Sequence, residues 1–326
     1  MREFAYTRAG DAGEALTAIA ASSGAKYLGG GTNLVDLMRL GVETPDVLVD
    51  VTRLPFDQVE ETAEGGIRIG SAVRNSELAA HPAIRRGYPA LAQALLSGAS
   101  GQLRNLATTA GNLLQRTRCP YFQDVTKPCN KREPGTGCPA REGDHRNLAV
   151  IGHSEHCVAT HPSDLAVALA AFDAIVHVSG AGGAREIALV DLHRLPGAEP
   201  ERDTVLEPGE LIVSVELPAL SFAHRSAYRK VRGRASFEFA LVSVAAALDV
   251  VDGRIRDARI AFGGLAHKPW RAYETEAALR GGTPDEATFH AAAAAELDRA
   301  EPLRDNAYKL PLARGALVST LSELAR

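Results

Sequence analysis

The sequence predicts an α+β chain: a two-part α/β region holding a polar, cysteine-rich insertion, then a C-terminal unit of antiparallel sheet and helices. Three observations predict it. Residues 11–113 alternate short strand and helix patterns, as layered α/β structure does. Residues 240–250 and 254–262 read as two long strands joined through Asp252-Gly253, a hairpin signal, and helical patterns follow them. All four cysteines fall between positions 119 and 157, in a stretch with almost no apolar periodicity.

With 326 residues the chain has room for two or three domains with cores of their own. Its 36 basic and 40 acidic residues give a net charge of −4 without a basic block, so neither nucleic acid nor an anionic membrane is an expected partner. No apolar run approaches the ~20 residues of a membrane span. The start, Met1-Arg2-Glu3-Phe4-Ala5-Tyr6, lacks a signal-peptide pattern, which makes a soluble cytoplasmic protein the expectation.

In chain order, residues 11–24 read as a short amphipathic helix, with Ala15, Leu16, Ile19 and Ala20 facing a core and Gly24 ending it. Lys26-Tyr27-Leu28 then leads into Gly29-Gly30-Gly31-Thr32-Asn33 and a helical run from Leu34 to Leu40. Glycines let backbone amides approach an anion, and a helix N-terminus favours negative charge, so this loop has the make-up of a phosphate cradle. An ordinary Gly-rich turn is the competing reading. The loop is neither G-x-G-x-x-G nor a P-loop, so nucleotide binding here would be of another type.

Residues 47–50 read as a buried strand, 66–70 as another, 75–77 as a helix start and 90–96 as an apolar helix. Thr108, Thr109, Gly111 and Asn112 form a second small, polar turn suited to a ligand's phosphate or ribose, or to a plain surface. Ser163 is placed to cap an apolar helix over 165–172. Strands are expected at 174–178, 185–190 and 211–217, and helices at 270–279, 285–299 and roughly 310–324.

Three readings compete for the cysteines. Separately buried thiols need apolar surroundings, which this stretch scarcely offers. Two disulfides need an oxidising compartment. A shared metal centre can order a polar loop through coordination where packing cannot, and it is the favoured reading. Gaps of nine, eight and eighteen residues lack the short knuckles of zinc sites, although His145, His153 and His156 could complete a mixed one. An iron–sulfur cube accepts thiolates from separated loop positions. Both metals remain open on the residues alone.

Taken together, Gly29-Gly30-Gly31-Thr32-Asn33, Thr108-Thr109-Ala110-Gly111-Asn112, Pro162-Ser163-Asp164, Pro208-Gly209-Glu210-Leu211-Ile212 and Tyr228-Arg229-Lys230 with Arg232 and Arg234 resemble the FAD-binding (medium) subunit of the molybdenum hydroxylases, the xanthine dehydrogenase and carbon monoxide dehydrogenase group. The resemblance implies a PCMH-type FAD-binding domain over 1–220, with subdomains of about 1–55 and 56–220, and a CO-dehydrogenase-flavoprotein-like domain over 221–326. In most of that family the Gly-Asn turn leads to the Ser-Asp turn within a few residues. Here an insertion of about 114–158 intervenes, which resembles the [4Fe-4S]-containing aldehyde oxidoreductase type. Cys119, Cys129, Cys138 and Cys157 are the residues that would match its four ligands.

Carried over residue by residue, Lys26, Tyr27, Leu28, Gly29, Gly30, Gly31, Thr32, Asn33 and Leu34 would wrap the FAD pyrophosphate, with Thr108, Gly111 and Asn112 on the second side of the dinucleotide. Asp164 would reach the ribityl or ribose hydroxyls, Ile212 would lie near the isoalloxazine and Lys230 would touch the flavin's polar edge. Ile212 also fits a plain strand, and Lys230 a solvated cluster of cations. No side chain is nominated as general acid, base or nucleophile. The resemblance implies an oxidoreductase subunit carrying FAD and [4Fe-4S], with a molybdopterin-binding large subunit and a [2Fe-2S] small subunit as partners. It would pass electrons through FAD to an external acceptor while the whole complex oxidises an aldehyde or aromatic heterocycle. A signal-bearing partner would export such a complex to the periplasm. The opposing reading is a zinc-stapled structural or interaction subunit without a redox role.

Overall fold

The structure is a computed structural model describing residues 1–326. Three sheets carry the chain, and each arises from a different local rule. The first is parallel: β1 (Ala5–Arg8), β2 (Ala25–Leu28) and β3 (Val47–Asp50), in the order β1-β3-β2. Parallel neighbours need long crossovers, and the helices Ala12–Ala20 and Leu34–Leu40 supply them. Asp11 opens the first helix by accepting the Glu14 amide at 2.8 Å. Gly41, at φ 74°, closes the second with a left-handed cap.

The second sheet is antiparallel and joins β4 (Val59–Glu61), β5 (Ile67–Gly70), β6 (Ile175–Gly180), β7 (Gly183–Ala188) and β8 (Leu211–Leu217) in the order β4-β5-β8-β6-β7. The helix Asp164–Ala171, with all eight residues buried, shares a hydrophobic core with it. Its apolar circumference is required by its position, because one continuous core runs from Val176 and Val215 through this helix to Ala245 and Ala261 of the third sheet.

That third sheet comprises β9 (Ser226–Val231), β10 (Val242–Val251), β11 (Arg254–Gly263) and β12 (Trp270–Arg271), ordered β12-β11-β10-β9. Asp252 and Gly253, at φ 50° and 71°, make the β10–β11 turn with both central residues left-handed, as two-residue hairpins prefer. The helices Tyr273–Leu279, Glu286–Leu297 and Lys309–Leu324 cover the sheet around Phe262, Phe289 and Leu317. No helix is long and apolar enough to cross a membrane.

Five local expectations differ. The helix expected over 11–24 ends at Ala20, which is exposed, so Gly24 lies in the turn before β2 and does not end it. The strand expected over 185–190 stops at Ala188, where Leu189–Leu192 turns into a helix. The helix expected from 270 begins at Tyr273, because Trp270 and Arg271 pair with β11 while Arg271 binds Glu276, Asp173 and the Ala170 carbonyl. The turn at 108–112 is a one-turn helix, Thr109–Leu113, capped by Thr108. Residues 114–158 are less apolar-poor in space than in sequence: Phe122, Ala140, Leu148 and Val158 form a small core with Leu37, Cys119 and Cys157.

Carbonyls pinned by side chains hold the rest of this insertion. Arg132 donates to the carbonyls of Tyr121 and Phe122 at 2.6 Å. From the C-terminal unit, Asn306 donates to Ala149 at 3.0 Å, and Lys309, fully buried, donates to Leu148 at 2.9 Å and Gly264 at 2.7 Å.

Candidate functional site

Where the loop after β2 meets the turn at Thr108 and the start of β8, the chain encloses a cavity of about 720 Å³. Lys26, Tyr27, Gly29, Gly30, Gly31, Thr32, Asn33, Leu34, Thr108, Gly111 and Ile212 all line it. Close approach explains the glycines. A Cβ on Gly30 would sit 1.9 Å from the Leu106 carbonyl oxygen, and one on Gly29 would lie 2.9 Å from Thr108 Oγ1. Gly31 takes φ 72°, which a side chain would disfavour.

This packing leaves the amides of Gly30, Gly31, Thr32 and Asn33 without a protein acceptor. Asn33 accepts the Arg116 amide on Oδ1 at 2.8 Å, while its buried Nδ2 has no partner. Successive unpaired donors on a cavity wall suit a polyanion such as a pyrophosphate.

Of the other walls, Tyr27 and Lys26 were expected from the sequence, whereas Glu43 and Arg116 were not. Tyr27 donates its hydroxyl to the Gly209 carbonyl at 2.8 Å, and burial pushes its pKa up to about 12, so it stays a neutral donor. Glu43 binds Lys26 at 2.6 Å and Arg116 at 2.9 Å. Burial pushes the Glu43 carboxyl up, but the two cations outweigh it and hold it below its ordinary value. Neither Glu43 nor Arg116 sits in a motif, and nothing in their sequence neighbourhoods marks them.

Leu28, Asn112, Asp164 and Lys230 do not line the cavity. Asn112 accepts from Ser163 Oγ at 2.7 Å and from Gln115 at 2.8 Å. Ser163 also caps its helix, accepting the Ala166 amide at 3.0 Å. Asp164 receives Lys230 Nζ at 2.7 Å and the Tyr228 hydroxyl, all three buried or nearly so. Lys230 is therefore paired rather than solvated.

A second, smaller cavity is lined by Cys119, Cys129, Cys138 and Cys157 together. None is in a disulfide; Cys119 and Cys157 are buried and the other two half-buried. Burial pushes the Cys119 thiol up to about 11 and Cys157 to about 12. The bare chain thus holds them protonated, and a cationic inorganic core is the kind of partner that would make thiolates of them. No three His, Cys, Asp or Glu side chains converge closely enough to hold a single ion. Of the three histidines, His156 lines this cavity, whereas His153 binds the Glu301 carbonyl and His145 faces Asp305.

Comparison with known proteins gives two family matches that divide the chain. Residues 2–220 match the FAD binding domain in molybdopterin dehydrogenase, and residues 226–324 the CO dehydrogenase flavoprotein C-terminal domain. The aldehyde oxidoreductase FAD-binding subunit PaoB of Escherichia coli (strain K12) is 51% identical over 324 residues, covering 99% of this chain and 98% of that protein. The glyceraldehyde dehydrogenase medium chain of Sulfolobus acidocaldarius is 27% identical over 84% of this chain and 80% of its own. A chain of the reconstituted CO dehydrogenase from Oligotropha carboxidovorans superposes with a TM-score of 0.78 at 21% identity, over 99% of this chain and 98% of that one. At that identity the likeness is one of fold.

Proposed function

Given that the chain belongs to the FAD-binding subunits of the molybdenum hydroxylases, we propose that it is the electron-carrying medium subunit of an aldehyde-oxidising complex, with FAD in the larger cavity and a [4Fe-4S] cluster on Cys119, Cys129, Cys138 and Cys157. Its partners would be a molybdopterin-binding large subunit and a [2Fe-2S] small subunit. Bound FAD and cluster would supply the redox chemistry, with electrons arriving from the partner [2Fe-2S] centres and leaving to an external acceptor.

The chain's own residues bind and orient. The free amides of Gly30, Gly31, Thr32 and Asn33, with Asn33 Nδ2, would hold the pyrophosphate, Thr108 and Gly111 the second side of the dinucleotide, and Ile212 would contribute an apolar wall. For Leu28, Asn112, Asp164 and Lys230 the geometry favours support of these loops. The 51% identity to an aldehyde oxidoreductase subunit supports the substrate class.

The single observation that carries the cluster assignment is that the only four cysteines line one cavity. A tetrahedral zinc site would hold its sulfurs about 3.8 Å apart, given Zn–S bonds of about 2.3 Å. Zinc and a cluster place different demands on those four sulfurs, and metal content tells them apart. The test is an absorbance spectrum of anaerobically purified protein, with iron, sulfide and zinc analysis. Flavin bands on a broad iron–sulfur shoulder are expected, and a colourless protein with one zinc would end this reading.

A further inference from the structure

The two cavities share one carboxylate. Asp203 accepts Arg116 Nε on one oxygen at 2.7 Å and Lys131 Nζ on the other. Arg116 lines the larger cavity, and Lys131, 1% exposed, lines the cysteine cavity. Both cations are held in place. Arg116 binds Glu43 at 2.9 Å, and its guanidinium lies 4.6 Å from the ring centre of Phe122, itself part of the cysteine cavity's wall. Lys131 donates also to the Pro200 carbonyl at 2.6 Å.

A cation beside a redox centre stabilises its reduced, more negative form; Lys131 is buried and little screened by salt, while Arg116 and Asp203 are 20% and 32% exposed. One carboxylate between two such cations divides its negative charge between them. Neutralising either cation leaves that charge to the other, so a change made at one cofactor is felt at its neighbour.

We propose that Asp203 is a positioning residue that couples the reduction potentials of the flavin and the cluster through Arg116 and Lys131. The proposal rests on the cofactor assignment above. Its prediction is a cross-effect: Lys131→Gln lowers the flavin's potential as well as the cluster's, Arg116→Gln lowers the cluster's as well as the flavin's, and Asp203→Asn raises both.

The experiment is an anaerobic redox titration of the full chain with its partner subunits, following flavin absorbance and the cluster's electron paramagnetic resonance signal. At a fixed potential the oxidised-to-reduced ratio is expected to change about tenfold at the adjacent cofactor, equivalent to about 59 mV for one electron, and measurably at the other. Variants that each move only the cofactor whose cavity they line would overturn the coupling. Should Asp203→Asn fail to retain both cofactors, the two cation variants carry the test by themselves. Iron and sulfide analysis of the unaltered protein separates the failures: no cluster overturns the assignment, and a cluster with independent potentials overturns the coupling alone.

Discussion

Substituting Gly30 by alanine should weaken flavin binding far more than it weakens the fold. The added Cβ would lie 1.9 Å from the Leu106 carbonyl oxygen, 2.6 Å from its carbonyl carbon and 3.0 Å from Ala107 Cα. All three neighbours are backbone, so no rotamer change relieves them. The loop must retreat by about 1.4 Å to reach an ordinary C···O contact of about 3.3 Å. The alanine loop is expected to make that retreat in the flavin-free protein. With cofactor, the amides of Gly30 to Asn33 must return to their positions, and overpacking of roughly 1–3 kcal/mol falls on the bound form. Flavin affinity should then drop about 5- to 150-fold. The assay is fluorescence titration of FAD into deflavinated protein, beside thermal melting without FAD. Gly87→Ala, with nothing within 4 Å of its Cβ, serves as the control. If Gly30→Ala binds FAD as tightly as Gly87→Ala does, the loop packing is not what shapes the cradle.

Other expectations follow from the same geometry. Cys129→Ser should lose iron and sulfide yet retain FAD, because the two cavities are separate; loss of both on metal and flavin analysis would contradict this. Lys230→Met leaves the Asp164 carboxylate buried without its cation and should cost roughly 3–5 kcal/mol of stability in urea unfolding. A variant of unchanged stability but weakened FAD affinity would instead make Lys230 a flavin contact. Gly315→Ala lies inside the helix Lys309–Leu324 with open space around its Cβ, so the melting temperature should rise in line with about 0.5–1 kcal/mol. Burial holds His193 at about 4 and His267 at about 3, so both stay neutral in the fold and take up a proton on unfolding below about 6.5. Their contribution is complete above about pH 6.5 and declines as pH falls toward those values, by about 1.4 kcal/mol per pH unit for each histidine. Urea midpoints measured from about pH 7.5 to about 5 should show this slope, and His193→Asn should flatten it.

Short-range chemistry was legible without coordinates. The hairpin at Asp252-Gly253, the cap Ser163 and the glycine loop each depend on a few adjacent residues whose backbone preferences leave little choice. The edge strand Trp270–Arg271 was hidden for the opposite reason. Its residues suit a helix, and pairing with Ala261 and Phe262 of β11, together with Arg271's partners at Ala170 and Asp173 about a hundred positions away, holds them extended.

By itself the sequence determined the order of elements, the glycine loop and the crowding of four sulfurs into one polar insertion, because periodicity, turn chemistry and composition act within a few residues. Tertiary structure alone decided that those sulfurs share a cavity, that Lys230 answers Asp164, and that Arg116, Asp203 and Lys131 join one cavity to the other. Arg116 lies 87 positions from Asp203 and Lys131 lies 72. Charges bind whatever folding brings near them, and a lone Arg or Asp carries no local signature of its future partner.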